Sequence, residues 1–236
     1  MKLLKNELIK SKIFLFITVD ICIQILVILA IKTYILDISA PYSGLTYNKY
    51  WYVLHTTIYM LMIFPIQILY QNLREALIED NNNGWNIMAI NTNNLAKIIY
   101  IKVTINIARC FICYFVYTIF CLVQLGSMGT NMLLTNIIFP NIMSFLLFLP
   151  IAIFIQICCI RFDSILAKVL PNILLILIVL TTFQSDWNIL IPVTYYYTAI
   201  QSTTSLGIKL LVCIWIMGFE FSLLPKLIKL KGQNLV

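Results

Sequence analysis

The sequence predicts an all-α integral membrane protein. It would have six transmembrane helices, an amphipathic interfacial helix at the N-terminus and a short surface helix between spans two and three. Three observations lead there. Hydrophobic residues make up 61% of the chain and charged residues 11%, where a soluble domain carries roughly a quarter charged residues; mean hydropathy is +0.95. Apolar runs of membrane length recur, suited to helices and too long for the alternating strands of a barrel. Most of the basic residues behind the net charge of +7 flank those runs, where they act as topology signals and not as a nucleic-acid surface. Lipid offers the backbone no partners, so each span must close its own hydrogen bonds.

Residues 1–12 (MKLLKNELIKSK) place Leu3, Leu4, Leu8 and Ile9 on one side of a helix, with Lys2, Lys5, Asn6, Glu7, Lys10 and Lys12 largely opposite. Such a helix lies in the membrane interface. The apolar run that follows is too long for a cleavable signal peptide and lacks a small-residue cleavage site after it. Span one is residues 13–36. An outer loop with Pro41, Gly44, Tyr42, Tyr47, Tyr50, Trp51 and Tyr52 suits an interfacial aromatic belt. Span two is 52–70, with Pro65 predicting a kink.

Residues 71–102 (QNLREALIEDNNNGWNIMAINTNNLAKIIYIK) are the longest polar interruption, holding three of the nine acidic residues and one of the four tryptophans. Within it Trp85, Ile87, Met88 and Ile90 form an apolar cluster between Asn-rich flanks. Asn81, Asn82, Asn83 and Gly84 read as a turn and helix start, because Asn caps free N–H groups and Gly tolerates unusual backbone angles. Residues 85–92 are therefore expected as a short surface helix with an apolar side open to another protein.

Span three is 103–125. Span four is 133–160, and Pro140 and Pro150 predict that it is bent or broken. The turn Arg161-Phe162-Asp163-Ser164 leads to span five at 165–183, and span six is 208–224. Six spans put both termini on one side. Assigning that side as cytoplasmic gives it twelve basic residues: Lys2, Lys5, Lys10, Lys12, Arg74, Lys97, Lys102, Arg161, Lys168, Lys226, Lys229 and Lys231. The outer side keeps Lys32, Lys49 and Lys209, and the imbalance fixes the orientation.

Several chemistries find no residues to carry them. No GxxxxGK[ST] loop is present to cradle ATP, and one histidine, His55, cannot build a multi-histidine metal site. The seven cysteines all sit inside apolar runs. Cys110 and Cys113 have redox or metal spacing, but no second pair or histidine accompanies them, so all seven read as small buried residues. The chain is not expected to be an enzyme.

Asp20, Arg109 and Glu220 are intramembrane or nearly so, where a charge costs about 2.5–3.5 kcal/mol on insertion scales. Two roles are open for them. They could mark a pathway for cations or protons, or they could lie near the cytoplasmic interface and snorkel or pair there. Pairing of Arg109 with Asp20 or Glu220 is one arrangement this allows. The outer stretch 187–200, with Trp187, Ile189, Leu190, Ile191, Pro192, Tyr195, Tyr196 and Tyr197, suits either belt material or a re-entrant lid.

Together these features resemble the membrane subunit of a type-2 ABC exporter: an amphipathic N-terminal helix, six spans, a long inner loop after span two and an outer apolar segment before span six. In that family the inner loop typically runs from an acidic residue through a Trp-containing coupling helix to a lysine entering span three. Glu79 and Asp80, then Trp85, Ile87, Met88 and Ile90, then Lys97 and Lys102 stand in those places. The proline that usually ends the short helix is absent, with Asn91-Thr92-Asn93-Asn94 instead. The small size and Asn/Ile/Lys-rich composition are similar to permeases of lantibiotic-immunity and antimicrobial-peptide-resistance transporters.

The resemblance implies a bacterial plasma-membrane protein with both termini cytoplasmic. It would partner a cytosolic ABC ATPase dimer, which carries ATP and magnesium, and a second permease subunit, identical or different. This chain would hold no cofactor and bind no nucleic acid. Its cargo would be an amphipathic, lantibiotic-like peptide taken from the membrane lipid. Two alternatives stay open: a non-transporting immunity or sensor protein that binds a peptide, and an ABC permease for ions or small lipophilic drugs.

Overall fold

The computed structural model describes Tyr52, residues 56–81, 95–127, 134–182 and 206–233, together with Pro192, Tyr195 and isolated positions between Leu15 and Leu29. These residues are almost entirely helical. In chain order they form a π-helical stretch Tyr59–Ile63 and five α-helices: α1 (Phe64–Asn81), α2 (Leu95–Ser127), α3 (Leu134–Arg161), α4 (Ile165–Thr182) and α5 (Leu206–Gln233). Three helical segments are long and apolar enough to cross a membrane: Lys97–Val123, Ile137–Arg161 and Leu206–Leu224. A shorter apolar one is Ile165–Val179. The chain is an integral membrane protein of the helical type. The predicted interfacial helix 1–12 and the surface helix 85–92 lie outside the described residues.

Around Pro65 the chain takes a wider turn. A proline has no N–H to return to the preceding turn, and here the Phe64 N–H bonds to the Tyr59 carbonyl five residues back. The expected disturbance is thus a π-helical turn immediately before the proline. By contrast α3 runs unbroken through Pro140 and Pro150, so the expected break is not there. Its packing on all sides explains the tolerance: α3 lies against α1, α2, α4 and α5, and neighbouring helices can hold a segment that has lost a backbone bond.

Two more boundaries are corrected. Residues 71–81, expected as the start of a polar loop, continue α1, and α2 begins at Leu95, eight residues before the expected start of span three. The stretch QNLREALIEDN is mostly good helix formers, and its three carboxylates find partners on neighbouring helices, so polarity there does not mean solvent. α5 likewise runs on to Gln233, well past residue 224.

Aromatic packing fills the core between α1, α2 and α3. Tyr59 and Tyr117 stack with ring centroids 3.8 Å apart and planes 5° from parallel, and Phe64 packs on Phe148 at 4.7 Å. The tyrosine hydroxyls are tied off. Tyr52 Oη donates to Asn141 Oδ1 at 3.0 Å, Tyr114 Oη donates to the same oxygen at 3.2 Å, and Tyr117 Oη donates to Thr56 Oγ1 at 3.2 Å. A smaller cluster of Ile99, Val103, Ile153 and Leu224 joins α2, α3 and α5.

Outward, the helices are oily. Phe111, Phe115 and Leu211 are more than half exposed, and Trp215 is 74% exposed, a surface suited to lipid and not to water. Thr104, Thr118 and Thr181 each donate to the carbonyl four residues back, which satisfies a hydroxyl without leaving its own helix. Six of the seven cysteines are buried as expected; Cys22 is exposed.

Candidate functional site

The polar end of α1 meets α2 and α4 through three ion pairs. Glu75, Glu79 and Asp80 lie within two turns, so they project over a limited arc of the helix. Glu79 Oε1 accepts from Lys102 Nζ at 2.8 Å, with the two side chains 4% and 9% exposed. Glu75 accepts from the guanidinium of Arg109, and Asp80 accepts from the ammonium of Lys168. The Arg109 and Lys168 side chains are fully enclosed. Three carboxylates and three cations thus neutralise one another between α1, α2 and α4.

A ladder of amides continues inward from the charges. Asn72 Nδ2 donates to Asn106 Oδ1 at 3.2 Å, and Asn106 Nδ2 donates to Gln156 Oε1 at 3.2 Å, joining α1, α2 and α3. Asn72 also bonds the Ile68 carbonyl at 2.8 Å. A small void of about 10 Å³ sits among Asn72, Glu75, Glu79, Lys102 and Gln156, which is the space of a single water.

The geometry is that of a clamp. A buried carboxylate already matched to its own cation has little left to offer a metal, and among the described residues no group of three His, Cys, Asp or Glu comes together. What the cluster does physically is resist separation: parting the nearly enclosed Glu79–Lys102 pair leaves a charge buried without its counterion, which costs about 3–5 kcal/mol, and the pairs made by the partly exposed Glu75 and Asp80 cost less. The cluster joins the C-terminal end of α1 to the N-terminal part of α2, the two helices that residues 82–94 connect in the sequence.

The sequence-predicted residues divide as follows. Glu79 and Asp80, expected at a partner's surface, face Lys102 and Lys168 inside the bundle. Trp85, Ile87, Met88 and Ile90 lie outside the described residues, as do Asp20, Trp187, Tyr196 and Tyr197. Arg109 pairs with Glu75. The suggested Arg109–Glu220 pair is not formed, because Glu220 belongs to a separate cavity on α5 and its Oε2 has no partner. Pro192 lines that cavity too. Tyr195 is buried in the main core, with Lys209 Nζ 5.6 Å from its ring centroid, so both described residues of the outer segment pack onto the bundle.

Sequence reasoning missed Glu75, Asn72, Asn106 and Gln156. The spacing of Asn72, Glu75 and Glu79, and of Lys102, Asn106 and Arg109, was the available signal: steps of three and four put each set on one helix face. Comparison with protein families, with curated proteins and with solved structures yields no match for this chain.

Proposed function

We propose that this chain is the membrane-spanning permease subunit of an ATP-driven exporter of the type-2 ABC kind, crossing a bacterial plasma membrane six times with both termini in the cytoplasm. A cytosolic ATPase dimer grips the segment carrying Trp85, Ile87, Met88 and Ile90 by a helix-in-groove contact, with Trp85 as the anchor. Closure of the ATPases displaces that segment, and a cationic amphipathic peptide is expelled between this subunit and a second permease. The chain itself makes no bonds; ATP and magnesium stay with the partner.

The observation that carries this reading is the ion-pair clamp at the base of the segment. A lever works only if its root is stiff. Glu79–Lys102 and Glu75–Arg109 lock α1 to α2 on either side of residues 82–94, and Asp80–Lys168 locks α1 to α4. A push on the segment is then delivered to three helices as one body, which is what rigid-body switching between two states requires. In this scheme Glu79 and Asp80 serve coupling by holding the lever, while the apolar cluster touches the ATPase.

The test is affinity purification after co-expression with the neighbouring genes, comparing wild type with a Trp85→Ala, Met88→Ala double variant. The proposal expects a Walker-motif ATPase with wild type and its loss with the variant, followed by raised peptide susceptibility in cells. If wild type brings down no ATPase while remaining intact, the exporter reading fails and a membrane-resident peptide-binding or immunity protein takes its place.

A further inference from the structure

Away from the clamp, a cavity of about 290 Å³ opens between α3, α4 and α5, lined by Leu147, Pro150, Phe154, Leu175 and Ile216 among others and reached by Pro192 from the outer segment. Among the described residues its one ionisable lining group apart from the Cys213 thiol is the carboxyl of Glu220. That residue is 7% exposed, and its Oε2 meets no hydrogen-bond partner. An acidic side chain inside an apolar span is costly to insert, and is ordinarily matched by a partner or a wet cavity.

Among the described residues no cation supplies that partner. The buried ones are engaged elsewhere: Lys102 with Glu79, Arg109 with Glu75, Lys168 with Asp80, and Lys209 over the Tyr195 ring. The walls are nearly all hydrocarbon, the volume is at the small end of ligand sites, and one acidic group sits at a fixed place on the wall. We propose that this cavity binds a small lipophilic organic cation, its apolar body against Leu147, Phe154, Leu175 and Ile216 and its positive centre at Glu220. The geometry is that of an orienting charge in an oily pocket, so the ligand needs both parts. This inference rests on the chain spanning a membrane and is independent of any ATPase.

The test uses the full chain purified alone into lipid nanodiscs, with benzyltrimethylammonium as the cation and neopentylbenzene as its uncharged isostere, each measured by equilibrium dialysis. Wild type should bind the cation saturably and the isostere at least ten-fold more weakly. Glu220→Gln, which keeps shape and removes the charge, should weaken the cation at least ten-fold and leave the isostere unchanged. Ile216→Trp, which fills the pocket while keeping the carboxyl of Glu220, should abolish both. Equal affinity of wild type and Glu220→Gln for the cation would overturn the proposal, and so would the absence of saturable binding to wild type, which would give the cavity to lipid acyl chains. Because no ATPase is present, failure here leaves the exporter reading standing, and failure of ATPase co-purification leaves this one.

Discussion

The Glu79–Lys102 pair can be broken from one side or removed from both, and the two should differ sharply. At 2.8 Å the Coulomb attraction at an effective dielectric of about 20 is about 6 kcal/mol. Most of that is cancelled by the desolvation of two nearly enclosed groups. Glu79→Gln alone keeps the desolvated ammonium and removes its counterion, which should cost about 3–5 kcal/mol. Lys102→Met alone strands the carboxylate at similar cost. The double variant strands neither and should fall within about 2 kcal/mol of wild type, giving a coupling energy of several kcal/mol. The assay is reversible unfolding in mixed micelles titrated with SDS, run as a double-mutant cycle. Additivity within about 0.5 kcal/mol would mean that the two residues do not interact, and the clamp argument would fail with it.

Other consequences follow from the same contacts. Asp80→Asn leaves the enclosed Lys168 ammonium without its carboxylate, and because Asp80 is 23% exposed the loss should be smaller than at Glu79, about 2 kcal/mol by the same titration. Asn141→Leu deprives two tyrosines of one shared acceptor and should cost about 1–2 kcal/mol, whereas Tyr52→Phe should cost less than about 1 kcal/mol, the usual range for hydrogen bonds within membranes. Tyr59→Leu keeps an apolar group but loses the stacked ring of Tyr117; about 1 kcal/mol should go with it, seen as a lower unfolding midpoint.

Legibility followed uniformity. The ends of α3 and α4 are legible to within a residue, because both helices are predominantly apolar and the intervening Arg161-Phe162-Asp163-Ser164 carries two charges and a capping serine. Ser164 Oγ accepts from the Ala167 N–H at 3.2 Å, an N-cap that its residue type announces. Where charge entered a helix the reading failed. Residues 71–102 read as one polar interruption because hydropathy cannot separate a charge facing water from one facing an opposite charge. The information that decides the matter lies on other helices, 23 to 88 residues away in the chain. The Glu220 cavity is not legible in the sequence for the same reason: its walls come from α3, α4, α5 and Pro192, and no local pattern encodes that assembly.

Why a membrane chain should retain three such pairs is a question about arrangement more than about stability. Apolar replacements of similar volume often match or exceed a buried ion pair, and helices faced with Leu and Ile pack nearly as well when one slides past another by a turn of about 5.4 Å. Charges penalise the slide: because Glu75 and Glu79 stand one turn apart, a one-turn shift of α1 against α2 would bring one of them toward the other's cation but leave the remaining carboxylate and cation buried without partners. The pairs should therefore set register. Replacing both members of each (Glu75, Glu79 and Asp80 by Leu, and Arg109, Lys102 and Lys168 by Met) should keep the unfolding midpoint near or above that of wild type. The same protein should show a broadened or split distance distribution between spin labels at the exposed positions Ile78 on α1 and Thr104 on α2. A single narrow distribution, unchanged from wild type, would show that apolar packing alone sets the register, and the pairs would then have to be explained by the coupling role alone.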